Sequence, residues 1–242
     1  MNNEQINALL LQRYTAAQTP WGRFRLSVQL QKRRLHAKWL AHGTEVLKRA
    51  LDIACSSLAL ALASPLLALI ALLVWIEDGG PIFFSQTRVG QFGRQFKMFK
   101  VRSMCLDAEQ RLKDLLAKNQ HREGVTFKLK RDPRITRVGK WLRKFSLDEL
   151  PQLYNVLIGD MSMVGPRPPV PREVAKYTPE DRRRLAVKPG ITCIWQISGR
   201  SEIDFSGQVR LDVDYIENQN LRTDLKILLR TLPAVISGKG AC

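Results

Sequence analysis

From Ile53 to Ile76 the chain runs for 24 residues without a charged side chain. Wound as a helix, that run reaches about 36 Å, more than the roughly 30 Å of a bilayer's hydrocarbon core. Ser64 and Pro65 sit at its middle. A proline inside a helix lacks one amide donor and clashes with the carbonyl one turn back, and in hydrocarbon no water replaces the lost bond. Two arrangements meet this constraint. In a kinked span, the Ser64 hydroxyl bonds a nearby carbonyl and the helix crosses the membrane. In a re-entrant hairpin, the pair separates two arms, Ile53 to Ala63 and Leu66 to Ile76, each about 16 Å long and so about half the hydrocarbon depth. Helix physics leaves both open.

Charge bears on which side of a membrane each end occupies. Lys48 and Arg49 abut the start of the run and favour a cytoplasmic position for it. Residues 77 to 242 carry 30 Lys and Arg against 19 acids, an excess that does not by itself fix the side of a long domain. The whole chain has a formal charge of +17 over 242 residues. Its partners are therefore anionic: nucleic acid, acidic headgroups or phosphorylated small molecules. Residues 1–47 hold seven Lys or Arg against Glu4 and Glu45, interleaved with Leu and Trp. They read either as a basic amphipathic helix on an anionic surface or as a solvated leader. No secretory signal pattern is present, since the apolar run starts near position 50 and lacks a small-residue cleavage site. Cys55, Cys105, Cys193 and Cys242 show no metal or disulfide spacing, which fits a reducing compartment.

Beyond Gly79-Gly80-Pro81 the patterning is that of a globular domain. "IFFSQTRVGQFGRQFKMFKVRSM" predicts a short hairpin around Gly90 and Gly93. "CLDAEQRLKDLLAKNQ" has Leu at helical spacing. "VKPGITCIWQISGR" reads as turn, strand and turn, and "TDLKILLRTLPAVI" as a helix stopped by Pro233.

The chemistry concentrates in "RDPRITRVGKWLRKFSLDELPQLYNVLIGDMSMVGPRPPVP". Adjacent Asp148 and Glu149 follow a run of cations. Ser146 and Glu149 have the spacing of a capping box, yet Pro151 would then fall inside the helix, so a later start suits the proline better. In either register the acids lie near a helix N-terminus, which favours an ionised carboxylate, the form that attacks phosphorus. Further on, Pro166 and Pro168 flank Arg167 and limit its backbone, presenting a guanidinium suited to a phosphate.

From about Lys48 to Thr231, about three quarters of the chain, the sequence resembles the bacterial sugar transferase family of monotopic phosphoglycosyl transferases. The matching stretches are "KRALD", "SPLLALIAL", "QTRVG", "FKMFKVRSM", "DPRITRVGKWLRK", "SLDELPQLYNVLIGDMSMVGPRP", "KPGIT", "WQISGRS" and "TDLKILLRTL". The resemblance implies an α+β, mainly helical fold. It would comprise a basic N-terminal extension (1–47), a membrane-embedded re-entrant helix-break-helix turning at Ser64-Pro65 (48–78), and a cytosolic catalytic domain with interfacial amphipathic helices (79–242). It implies Asp148 as nucleophile toward a UDP-sugar, with UMP leaving and undecaprenyl phosphate accepting the sugar phosphate. Glu149 and Asp148 would hold Mg2+, with Glu149 alternatively managing a proton. Arg143 and Arg167 would surround the phosphates, with Lys100, Arg102 and Arg200 as further candidates. The location implied is the cytoplasmic face of the bacterial inner membrane, among its lipids, with no nucleic acid partner and with a second copy of the chain admissible. The pathway would be exopolysaccharide, capsule, O-antigen or glycan assembly. Cys193, Asp214 and "NQNLR" depart from the family pattern and leave the sugar open.

Two other classes compete. A membrane-tethered nucleic-acid-binding protein would draw on the same basic excess, but the chain shows no binding motif with aromatic stacking positions. A non-catalytic scaffold would have no need of the acid pair.

Overall fold

The apolar run lies within helix α1 (Pro20–Asp78) of the computed structural model, which describes residues 18–115, 132–199 and 203–237. The chain divides into two compact units, 1–48 and 49–242. In the first, Trp21 and Phe24 stack one turn apart on the helix and are both exposed.

In the second unit, Ser64 and Pro65 lie inside the helix rather than between two separate helices. The amide that Pro65 lacks would have bonded Ala61, four residues back. The Ser64 hydroxyl donates to that same Ala61 carbonyl at 2.8 Å, so the broken turn keeps its bond. Burial along the run is confined to its ends. Asp52 and Ser56 are buried at one end, Ile70 and Val74 at the other, and no side chain from 57 to 69 is buried. Large apolar residues such as Leu58, Leu62, Leu69 and Trp75 stand exposed, as a helix facing lipid requires.

Both ends of the run are fastened to the domain that follows. Arg49 donates to the carbonyls of Val156 (2.5 Å) and Leu157 (2.8 Å). The Asp52 carboxylate accepts from the Ser162 hydroxyl (3.1 Å) and the Met163 amide (2.9 Å). At the far end, Glu77 accepts from the Arg137 amide at 2.7 Å, and Asp78 pairs with Arg102.

After the glycine-proline turn, β1 (Phe83–Val89) and β2 (Gln95–Val101) form the predicted antiparallel hairpin. Exposed Phe92 at its tip adopts a left-handed φ of 55°, an unusual state for a bulky side chain. Helix α2 (Ala108–Leu115) occupies part of the leucine-spaced segment. Then come α3 (Arg137–Lys144), a 3-10 turn (Leu147–Glu149), α4 (Gln152–Ile158) and β3 (Ser162–Val164). The chain continues through α5 (Pro171–Val174), a 3-10 turn (Asp181–Leu185), β4 (Gly190–Thr192), α6 (Ile194–Ser198), α7 (Phe205–Glu217) and α8 (Leu221–Ser237). The fold is α+β and mainly helical.

Strands β3 and β4 pair in parallel, with Ser162 beside Gly190 and Val164 beside Thr192. A Cβ on Gly190 would come within 2.1 Å of the Gly165 amide nitrogen, and one on Gly165 within 2.4 Å of the Lys188 carbonyl. The glycines of "VGPRP" and "KPGIT" thus let two backbones touch, and that contact anchors the loop carrying Arg167. The core is assembled from small clusters that join distant parts of the chain. Val101, Leu142, Ile70 and Val74 form one cluster, with Leu147 packed on it; Met98, Val156 and Met161 form another.

Two sequence expectations need correction, and one open choice is resolved. Pro233 does not stop the last helix: α8 continues to Ser237 with Pro233 on an exposed face, where solvent can take the freed carbonyl. Ser146 is not a capping residue, because its own φ is 55° and its hydroxyl makes no cap bond. The later start is the one adopted: α4 begins after Pro151. Residues 194–198 of "CIWQISG" wind into short α6 instead of continuing as extended chain.

Candidate active site

The acid pair sits on a sharp connection between two helices. Helix α3 is held at its start by Thr136, whose hydroxyl accepts from the Gly139 amide at 2.9 Å, and by Glu77 from the apolar helix. It ends in Arg143 and Lys144, favourable charges at a helix C-terminus. Left-handed Ser146 then redirects the chain into the 3-10 turn that holds Asp148 and Glu149. Leu147 packs back on Ile70, Val74 and Leu142, so the turn leans on the apolar helix.

Asp148 is only 6% exposed. Among the described residues its carboxylate accepts no hydrogen bond, and its nearest ionic partner is Lys100, 3.7 Å away. Lys100 on β2 also donates to Glu149 Oε1 at 2.7 Å, and Arg167 stands 3.5 Å from the same oxygen. Arg88 on β1 donates to the Pro168 carbonyl (2.9 Å) and to Gln86 (2.8 Å), while its Nε is buried with no partner among the described residues. Arg143, half-buried, completes the ring of charge around Asp148. Four cations (Lys100, Arg88, Arg143 and Arg167) thus bear on two carboxylates.

The two acids are driven apart in acidity. Burial raises Asp148 above the ordinary carboxylate value, against Lys100. Glu149 is held down at about 2: burial opposes this, but Lys100, Arg167 and Arg88 outweigh it. Burial lowers Arg88 to about 10, and neighbouring Arg167 adds to that. A cluster with surplus positive charge and an unbonded buried carboxylate is built to receive a further anion.

These residues line a cavity of about 880 Å³ that reaches from Ala59 on the apolar helix to Trp195 and Gln208. It brings together six of the predicted residues: Lys100, Arg102, Arg143, Asp148, Glu149 and Arg167. Arg102 lines it too, but its guanidinium is committed to Asp78, so it ties β2 to the end of the apolar helix instead of standing ready for phosphate. Arg200 lies outside the described residues. Ser64 and Pro65 are remote from the acids in sequence and serve the apolar helix.

Arg88 was missed by residue-level reasoning, although "QTRVG" was noted. The signal lay in strand alternation, which puts Gln86 and Arg88 on the same face. Arg49, Glu77 and Asp78 were missed as well, since their partners lie 24 to 108 residues away.

No group of three or more metal-ligating side chains occurs among the described residues. The donor set nevertheless suits a hard divalent cation that relies on substrate phosphates for its other ligands: two adjacent carboxylates, one of them carrying no hydrogen bond.

A pair of buried carboxylates ringed by cations thus stands beside an exposed helix long and apolar enough to cross a membrane. The chain belongs to the bacterial sugar transferase family, whose family model matches residues 43–238. It is 50% identical to the galactosyl transferase CpsE of Streptococcus agalactiae over 84% of this chain and 45% of that protein. It is 42% identical to the undecaprenyl-phosphate galactose phosphotransferase of Salmonella typhimurium, over 90% of this chain and 46% of that protein. It is also 42% identical to the exopolysaccharide production protein ExoY of Rhizobium meliloti, over 80% of this chain and 87% of that protein. The chain thus spans about half the length of the first two and most of the third.

Proposed function

We propose that this protein moves a sugar 1-phosphate from a UDP-sugar to undecaprenyl phosphate through a covalent intermediate on Asp148. The observation that carries the proposal is the buried Asp148 carboxylate, which accepts no hydrogen bond among the described residues and is faced by Lys100, Arg143 and Arg167. A carboxylate without hydrogen bonds keeps its lone pairs for attack. In the first step an Asp148 oxygen attacks the phosphorus bearing the sugar; the bond from that phosphorus to the bridging oxygen breaks, and UMP leaves with the electron pair. In the second step a phosphate oxygen of the polyprenol phosphate attacks the same phosphorus and Asp148 leaves. The product is a polyprenol diphosphate sugar and the carboxylate is restored. Lys100, Arg143 and Arg167 offset the charge that accumulates on the phosphoryl oxygens, and Arg88 braces Arg167 through the Pro168 carbonyl. Mg2+, when bound, would be held by Asp148 and Glu149 and would neutralise phosphate charge. The relatives named for galactose transfer favour a hexose donor.

The acceptor is insoluble in water, so the site has to work at the membrane surface. A spanning helix would leave its two ends on opposite sides of the bilayer, yet Arg49 and Asp52 at one end and Glu77 and Asp78 at the other all bind the same domain. That supports a re-entrant helix, with the domain on the cytoplasmic face of the inner membrane. Cysteines placed at the two ends of the run should label from the same side of sealed vesicles; labelling from opposite sides rules out re-entry. For the chemistry, the protein incubated with UDP-galactose or UDP-glucose and no acceptor should gain a hexose phosphate by intact-protein mass spectrometry. An adduct on any residue other than Asp148 overturns the mechanism.

A further inference from the structure

The cavity has an apolar end that the phosphate chemistry does not use. Phe84 is directly opposite Lys100 in the β1–β2 register, so the two side chains stand side by side on one face of the hairpin. Phe84 is 39% exposed, Leu106 is 66% exposed, and both line the cavity with Pro81, Met104 and Phe145. Along the same face of β1 follow Gln86 and Arg88. This face therefore grades from aromatic to cationic over about 14 Å. The aromatic end lies just past the point where the apolar helix ends at Asp78, and the cavity wall continues onto Ala59 of that helix.

We propose that Phe84, with Leu106, forms the subsite for the first isoprene units of the polyprenol phosphate acceptor, whose phosphate sits beside Lys100. This rests on the transferase reading above. The occupant follows from the chemistry of the walls. A nucleotide sugar offers one flat uracil face that could stack on Phe84, but no hydrocarbon chain to run on along Leu106, Pro81 and Met104. A polyprenol phosphate offers hydrocarbon joined to one phosphate, in the same order as Phe84 and Lys100. Lys100 touches both acids, so a phosphate held there adjoins the phosphoryl group carried by Asp148. The subsite also opens toward the apolar helix, the side from which a lipid must enter.

The test is steady-state kinetics of the full chain in lipid nanodiscs, with UDP-galactose as donor and undecaprenyl phosphate as acceptor. Phe84→Ala should raise the acceptor KM about tenfold, as expected for losing one well-buried aromatic contact. The donor KM should change less than twofold. Phe84→Leu should recover most of the loss, and Leu106→Ser should give a smaller rise of the same kind. With farnesyl phosphate, which keeps the first three isoprene units, Phe84→Ala should show the same penalty, because the contact is to the units nearest the phosphate. Equal rises in both KM values, or a rise in the donor KM alone, would assign Phe84 to the donor and overturn the proposal. So would an acceptor KM within twofold of the wild type. A wild-type chain that releases no UMP from any UDP-sugar overturns the transferase reading, and this subsite falls with it.

Discussion

Two buried aspartates in this domain show opposite treatments of charge. Asp212 on α7 is 1% exposed and is bonded by the Arg184 guanidinium. That guanidinium also donates to the Tyr177 hydroxyl at 3.2 Å and lies 5.9 and 5.8 Å from the Tyr177 and Phe205 ring centres. One acid meets one cation, with aromatic faces closing the rest. Burial still raises Asp212 to about 6, against the pull of Arg184. Asp148 is nearly as buried, yet it accepts no hydrogen bond among the described residues and shares a surplus of cations with Glu149. On the proposed mechanism, the difference separates a charge buried for architecture from a charge buried for chemistry. The first has its counter-charge within the fold; the second, on the proposed mechanism, shares its surplus of cations with a phosphate.

Substitutions break this comparison in a definite order. Asp148→Asn should cut UMP release at least roughly 10³-fold. Its melting temperature should hold or rise, because a desolvated carboxylate without hydrogen bonds is removed. A matching drop in melting temperature would show that Asp148 is structural like Asp212. Asp212→Asn should do the reverse, costing about 3–5 kcal/mol in chemical denaturation by leaving Arg184 buried and unpaired. Arg167→Ala should slow UMP release about 10²-fold in steady-state assays while leaving the unfolding midpoint nearly in place.

The smallest effect concerns pH. On the proposed mechanism Asp148 must be ionised to attack, so UMP release should fall on the acid side with a midpoint above the ordinary aspartate value. In Glu149→Gln the neighbouring negative charge is gone and Lys100 is freed for Asp148, so that midpoint should move to lower pH in a pH–rate profile. The stability sign is equally defined. Glu149 is lowered from 4.5 to about 2, so its contribution is complete above pH 4.5 and is lost as pH falls toward 2. Wild type minus Glu149→Gln should show that loss in acid titrations of unfolding.

Much of the site was legible in the residues themselves. Asp148-Glu149 ahead of Pro151 and Arg167 between prolines are local patterns that marked where to look, while the roles given to them came from the family resemblance. The hairpin around Gly90 and Gly93 was legible for the same reason. Distant partnership was not. Arg102 reads as one more cation until Asp78 is found beside it, and Glu77 reads as a solvated charge until it caps α3. The Ser64-Pro65 pair was half legible: a helix continuing through the proline with the Ser64 hydroxyl bonded back was one of two arrangements the residues allowed, and nothing local chose between it and a break.

The fastening of both ends of the apolar helix to one body has a mechanical consequence. On the re-entrant reading, the protein floats with its draught fixed by Arg49, Asp52, Glu77 and Asp78, like a hull bolted to its keel. Only one leaflet touches it, so thickening the opposite leaflet should leave turnover untouched, whereas loosening a bolt should tilt the waterline relative to Asp148.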